Sequence, residues 1–213
     1  MALYLDSAIV EEAKEVSQWG WVKGITTNPT LLAKSPLSPA ETLRQLKQTT
    51  SGEVCYQLTA SDLEGMIAEA KAAQELLGTQ TVLKIPATAV GFQAVARLSP
   101  DIPCAVTAIY SPAQAVVAME AGAKYAIAYV NRATRLLGDG VQLVAEMAAV
   151  LRGSQTEILA ASIKSPEEAT ATIKAGATYL TLPLEILKAI TTHELSEKTV
   201  VEFSQANLKK LTE

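Results

Sequence analysis

Apolar and polar positions follow two rhythms along this chain. Short apolar runs recur at ALYLD (2–6), KGITTN (23–28), EVCYQL (53–58), TVLKIP (81–86), CAVTAI (104–109), YAIAYVN (125–131), EILAAS (157–162) and TYLTLP (178–183). Each has the length and content of a buried strand. Between them lie amphipathic stretches with helical spacing, such as EEAKEVSQWG, DLEGMIAEAKAAQELLG and GVQLVAEMAAVLRG. Ser111-Pro112 and Ser165-Pro166 mark helix starts, with Pro at the first helical position and Glu167-Glu168 close behind.

Strands alternating with helices imply parallel βαβ units. AGAKYA (121–126) is echoed by AGATYL (175–180), 54 residues later, which is two units of 27. Eight units of that size fill the 213 residues. The expected fold class is therefore α/β, a (β/α)8 barrel in one domain spanning 1–213. An open doubly wound sheet is the alternative, but it usually has fewer strands. Residues from about 195 to 213 exceed what the eighth unit needs and read as an extra C-terminal helix.

In a barrel strand alternate residues point inward, and the C-terminal ends carry the active site. Parity then puts a polar residue inside at or near that end of seven strands: Asp6, Thr26 with Asn28, Gln57, Lys84, Thr107, Tyr129 with Asn131, and Ser162. In the seventh strand this places Ala160 and Ser162 inside. In the sixth it places Ile127 inside, two residues before Tyr129. Lys84 is the most informative, because lysine is almost never fully buried without a partner. Burial disfavours the ammonium form and frees the amine as a nucleophile toward carbonyls. The resulting Schiff base is an electron sink that needs no metal and no cofactor.

Composition narrows the partners. Net charge is −4 with pI about 5.2 and no basic cluster, which argues against nucleic acid. The start, MALYLDSAIVEEAKE, lacks the basic n-region of a secretory signal. The apolar stretch around Cys104–Met119 is broken by Ser111-Pro112 and is too short for a membrane span. Cys55 and Cys104 lie far apart in apolar runs and read as reduced core residues of a cytoplasmic protein. The single histidine, His193, joins no set of residues at metal-ligand spacing, and no glycine-rich nucleotide motif is present.

The segments YLD (4–6), GITTNPTLL (24–32), VLKIPAT (82–88), TAIY (107–110), AYVNR (128–132), AASIK (160–164) and TLPL (181–184) resemble the small transaldolase family, and its fructose-6-phosphate aldolase branch most closely. The resemblance implies a TIM barrel with Lys84 as the Schiff-base lysine on the fourth strand. It implies that Asp6 handles the hydroxyl beside the cleaved bond, and that Thr26 and Asn28 hold donor hydroxyls. Arg132 and Ser162 would bind a substrate phosphate. Transaldolases of the family resemble AEV in the third strand and carry a Phe-containing segment after the sixth. This chain instead has Gln57 and Tyr129, as the aldolase branch does. Tyr129 can donate a proton, through a water held by Gln57 and Thr107, and a Phe cannot.

Ile127 departs from the resemblance, which implies Ala or Ser there. Facing the donor, it would favour hydroxyacetone over dihydroxyacetone. Expected partners are a small-molecule sugar or sugar phosphate, with no nucleic acid and no membrane. The resemblance also implies a homo-decamer of paired pentamers, with the C-terminal helix packed on a neighbour. The rival readings are a transaldolase of the pentose phosphate pathway and a non-catalytic sugar-phosphate-binding barrel.

Overall fold

A computed structural model describes residues 1–205. Eight strands close into one parallel barrel in sequence order: β1 (Ala2–Asp6), β2 (Val22–Thr26), β3 (Glu53–Gln57), β4 (Thr81–Pro86), β5 (Cys104–Ile109), β6 (Tyr125–Ala128), β7 (Glu157–Ala160) and β8 (Tyr179–Leu182). β8 pairs back onto β1. The outer ring holds α1 (Val10–Ser17), α2 (Pro29–Leu32), α3 (Pro39–Thr49), α4 (Leu63–Leu77), α5 (Ala89–Leu98), α6 (Pro112–Glu120), α7 (Val130–Leu137), α8 (Gly140–Val150), α9 (Pro166–Lys174) and α10 (Leu184–Ala189). A last helix, α11 (Glu194–Ser204), follows the barrel. The remainder of the expected C-terminal helix, 206–213, lies outside the described residues.

Helix starts follow local chemistry. Ser38, Ser111 and Ser165 each cap a helix whose first turn carries Pro, and their hydroxyls accept the N–H three residues on. Register then sets the site. Asp6 stands beside Thr26, Gln57 beside Lys84, and Pro86 beside Thr107, all at the C-terminal strand ends.

The core has two parts. A large cluster fills the space between strands and helices. A small one fills the barrel with Tyr4, Cys55, Val82, Ala105, Tyr125, Ile127, Leu159 and Ala161. The strand-seven expectation is corrected here: Leu159 and Ala161 face inward, and Ala160 packs outward. Strand six is also shorter than expected. It stops at Ala128, and Asn131 lies in the first turn of α7.

At the N-terminal end the barrel is closed by a polar plug. Tyr4 Oη and Tyr125 Oη both donate to Glu53 Oε2, at 2.7 and 2.9 Å, and Lys124 pairs with Glu53 Oε1. The Tyr179 ring packs edge-on against both tyrosines. Gly24 makes room for this plug, since a Cβ there would stand 2.4 Å from Tyr4 Cε1.

Burial here has a pH signature. It pushes the Cys55 and Cys104 thiols up to about 12 from 9.0. It also pushes Tyr125 up to about 12 from 10.0, and raises Tyr4. The unfolded chain releases these protons from pH 9 upward, while the folded chain retains them. Stability therefore falls as pH rises toward 12, from about 9 for the thiols and from about 10 for the tyrosines, by up to about 1.4 kcal/mol per pH unit for each such group. The urea midpoint is expected to drop steeply between pH 9 and 11. Cys104→Val should make that drop shallower, and an unchanged slope in the variant would contradict the account.

Candidate active site

The strand ends form a cleft of about 380 Å3, lined by Asp6, Asn28, Gln57, Lys84, Tyr129 and Arg132, with Ala161, Ser162, Lys164 and the 29–31 segment completing it. A larger groove of about 920 Å3 lies outside the barrel, between α3 and α4, away from the strand ends. It contains none of the residues singled out from the sequence.

Lys84 is 2% exposed and its ammonium donates to the Thr27 carbonyl at 2.9 Å. That bond aims a flexible side chain across the top of the barrel. On β1, Asp6 Oδ1 accepts from Thr26 Oγ1 at 2.7 Å, and Thr26 meets Thr181 Oγ1 at 2.6 Å. Thr26 is fully buried. It holds Asp6 in place and is not among the residues that line the cleft, which speaks against the donor-binding expectation. Thr181 was not singled out from the sequence, yet its parity with Tyr179 and Pro183 in TYLTLP was the available signal. Asn28 caps α2 through Oδ1, which accepts from Leu31 N at 2.9 Å. Its amide N–H groups remain for a ligand in the cleft.

Across the cleft, Thr107 Oγ1 donates to Tyr129 Oη at 2.9 Å. The phenol then keeps its own proton for another acceptor. Gln57 Oε1 is buried and has no hydrogen-bond partner among the described residues. An orphaned buried carbonyl calls for a donor, and a water or substrate hydroxyl suits it. The Arg132 guanidinium lies over the Tyr129 ring, 5.2 Å from its centroid.

Two backbone conformations shape this side. Ala108 and Ser162 have φ of 60° and 61°, which is costly for residues with a Cβ. They flank β6 on both sides. The turn at Ser162 brings it to the cleft although alternation in β7 does not. Asn131 does not line the cleft. Its side chain donates to Glu168 Oε1 at 3.2 Å, because it sits on a helix and not on a strand.

Ile127 points into the barrel as parity requires, but it is 0% exposed and packed in the inner cluster. It does not line the cleft, which argues against the expected effect on donor choice. Ile127→Ser should instead cost about 2–4 kcal/mol of stability through a cavity and a buried hydroxyl. The ratio of rates with hydroxyacetone and dihydroxyacetone should stay that of the wild type, and a shifted ratio would restore the earlier expectation.

The cleft carries three cationic side chains, Lys84, Arg132 and Lys164, against one carboxylate, Asp6. In a chain of net charge −4 this local excess attracts anions. Among the described residues no cluster of His, Cys, Asp or Glu is arranged to hold a metal ion, and no helix is long and apolar enough to cross a membrane.

Solved structures share the fold. Orotidine 5'-monophosphate decarboxylase from Metallosphaera sedula superposes with a TM-score of 0.63 at 17% identity, covering 89% of this chain and 97% of that one. A mandelate oxidase variant gives 0.59 at 17% identity, covering 95% and 71%. Sequence relatives are more specific. A probable transaldolase of Kosmotoga olearia is 35% identical over 206 residues, covering 95% of this chain and 94% of its own. One from Aquifex aeolicus is 36% identical over 200 residues, covering 92% of each. The family described as Transaldolase/Fructose-6-phosphate aldolase matches residues 3–213. With its closed barrel and a buried lysine at the end of β4, this chain belongs to the transaldolase/fructose-6-phosphate aldolase family.

Proposed function

We propose that this chain is a class I aldolase that cleaves and forms fructose 6-phosphate. Lys84 attacks the C2 ketone and, with loss of water, forms the Schiff base. Asp6, oriented by Thr26, takes the proton of the C4 hydroxyl. The C3–C4 bond breaks, its electrons move into the iminium, and glyceraldehyde 3-phosphate leaves. Tyr129 then delivers a proton to C3 of the enamine through a water on Gln57, and hydrolysis frees dihydroxyacetone. Arg132, Ser162 and Lys164 hold the phosphate at the rim. The lysine supplies the electron sink, so the chemistry requires neither metal nor cofactor.

One observation carries this choice: a phenol whose oxygen accepts from Thr107 faces a cleft with an unpaired Gln57 carbonyl. That arrangement supports protonation and hydrolysis of the enamine. The names of the relatives favour the second reading, a transaldolase that passes the enamine to erythrose 4-phosphate. Product analysis from fructose 6-phosphate separates the two. Free dihydroxyacetone formed without an acceptor supports the aldolase. Turnover only with erythrose 4-phosphate present would overturn it.

We also place the enzyme in the cytoplasm, as one catalytic domain assembled into paired pentamers. Helix α11 supports assembly: it has no buried residue, and Leu195, Val200, Val201 and Phe203 are exposed, Phe203 by 72%. Such a face needs a cover, and a neighbouring subunit supplies one. Light scattering is expected to give a mass many times that of one chain, and truncation before Glu194 should reduce it. A monomer at micromolar concentration would refute the assembly.

A further inference from the structure

Glu168 sits outside the cleft, yet it joins the two elements that form the cleft's cationic end. Its place is legible in SPEE (165–168), a capping signature in which the Ser165 hydroxyl accepts from Glu168 N at 3.1 Å. In a capping box the acid reaches back to the N–H of the cap residue. Here Glu168 Oε2 accepts instead from Lys164 N, one residue earlier, at 2.6 Å. Its other oxygen, Oε1, accepts from the Asn131 side chain on α7. One carboxylate thus bridges the 162–164 loop, which carries Ser162 and Lys164, and the first turn of α7, which carries Arg132 next to Asn131. The bridge reinforces two backbone bonds, from Val130 N to Ala161 O and from Asn131 N to Ser162 O.

We propose that Glu168 is a positioning residue that fixes the distance between Arg132 and the Ser162–Lys164 loop, and so sets the affinity of the cleft for phosphorylated substrates. This rests on the reading of that end as the phosphate site. Hydrogen bonds to a charged acceptor are the stronger kind, and two of them from different elements restrain a gap that either element alone leaves free. A shift of the cations by a fraction of an ångström weakens anion binding without touching Lys84, Asp6 or Tyr129.

The test uses aldol synthesis from dihydroxyacetone with glyceraldehyde 3-phosphate or with glyceraldehyde. Glu168→Gln keeps the size but lacks a second acceptor oxygen. It should raise KM for the phosphorylated aldehyde by about tenfold and leave kcat and the KM for glyceraldehyde near wild type. Asn131→Ala removes only the α7 side of the bridge and should move the same ratio, less strongly. Ser165→Ala weakens the cap of α9 alone and should lower Tm without changing the ratio. Equal effects on both aldehydes, or an equal ratio change in Ser165→Ala, would reduce Glu168 to a helix cap and overturn the proposal. Arg132→Ala separates the premise from the inference. If it spares the KM for the phosphorylated aldehyde, the phosphate reading falls. If it raises that KM while Glu168→Gln does not, only the positioning role falls.

Discussion

Lys84→Met is expected to lose activity by a factor on the order of 10^4–10^6, the scale of removing an enzyme's nucleophile, and to become more stable. Methionine has nearly the length of lysine and fills the same space without a charge. The wild-type amino group is almost fully buried, and among the described residues its hydrogen-bond partner is a neutral carbonyl, that of Thr27. Burying so polar a group with so little compensation is unfavourable. Its removal should stabilise the fold by about 1–2 kcal/mol, seen as a higher Tm and urea midpoint. Borohydride reduction in the presence of dihydroxyacetone should place the adduct on Lys84 in the wild type and nowhere in the variant. An adduct on another lysine, or activity retained by the methionine variant, would remove the Schiff-base mechanism.

Tyr129→Phe should slow cleavage of fructose 6-phosphate by about 10^2–10^4, the usual range for losing a positioned proton donor. The ring remains, so the stacking of Arg132 is kept and phosphate binding should change little. The enamine still forms but waits longer for its proton. Borohydride does not trap an enamine, so the useful readout is partition. Transfer to added erythrose 4-phosphate should rise relative to release of dihydroxyacetone. Equal losses in both reactions would make Tyr129 a structural residue.

Much of this site was legible because strand alternation is strict and barrels put the active site at one end. That logic alone marked Asp6, Gln57, Lys84 and Tyr129, which line the cleft, and Thr107, which bonds to Tyr129, while their expected roles came from the resemblance. The failures have physical reasons. Parity gives the face of a residue but not its depth, so Ile127 was expected to face the donor although it is fully buried in the inner cluster; Thr26, given a donor role by the resemblance, is equally buried and holds Asp6. Parity also ends where the strand ends, and the early start of α7 redirects Asn131 to Glu168. Ser162 reaches the cleft through a positive φ that a serine, unlike a glycine, does not advertise. The bridge made by Glu168 joins side chains 37 positions apart, and no local pattern encodes it.

Among the described residues, the plug of Tyr4, Tyr125 and Glu53 leaves the C-terminal mouth as the open end of the barrel. With the N-terminal mouth stoppered, the proposed reaction would bring substrate, acceptor aldehyde and both products through the route past Arg132. If fructose 6-phosphate is the substrate, the departing triose phosphate stands in that doorway while it remains docked. A new aldehyde reaches the enamine only after it has gone. On the proposed reaction, release is ordered, triose phosphate first and dihydroxyacetone last. On that reading, cleavage and transfer become a race between the water held on Gln57 and an aldehyde entering from outside, so the outcome turns on the aldehyde concentration outside as well as on the residues within.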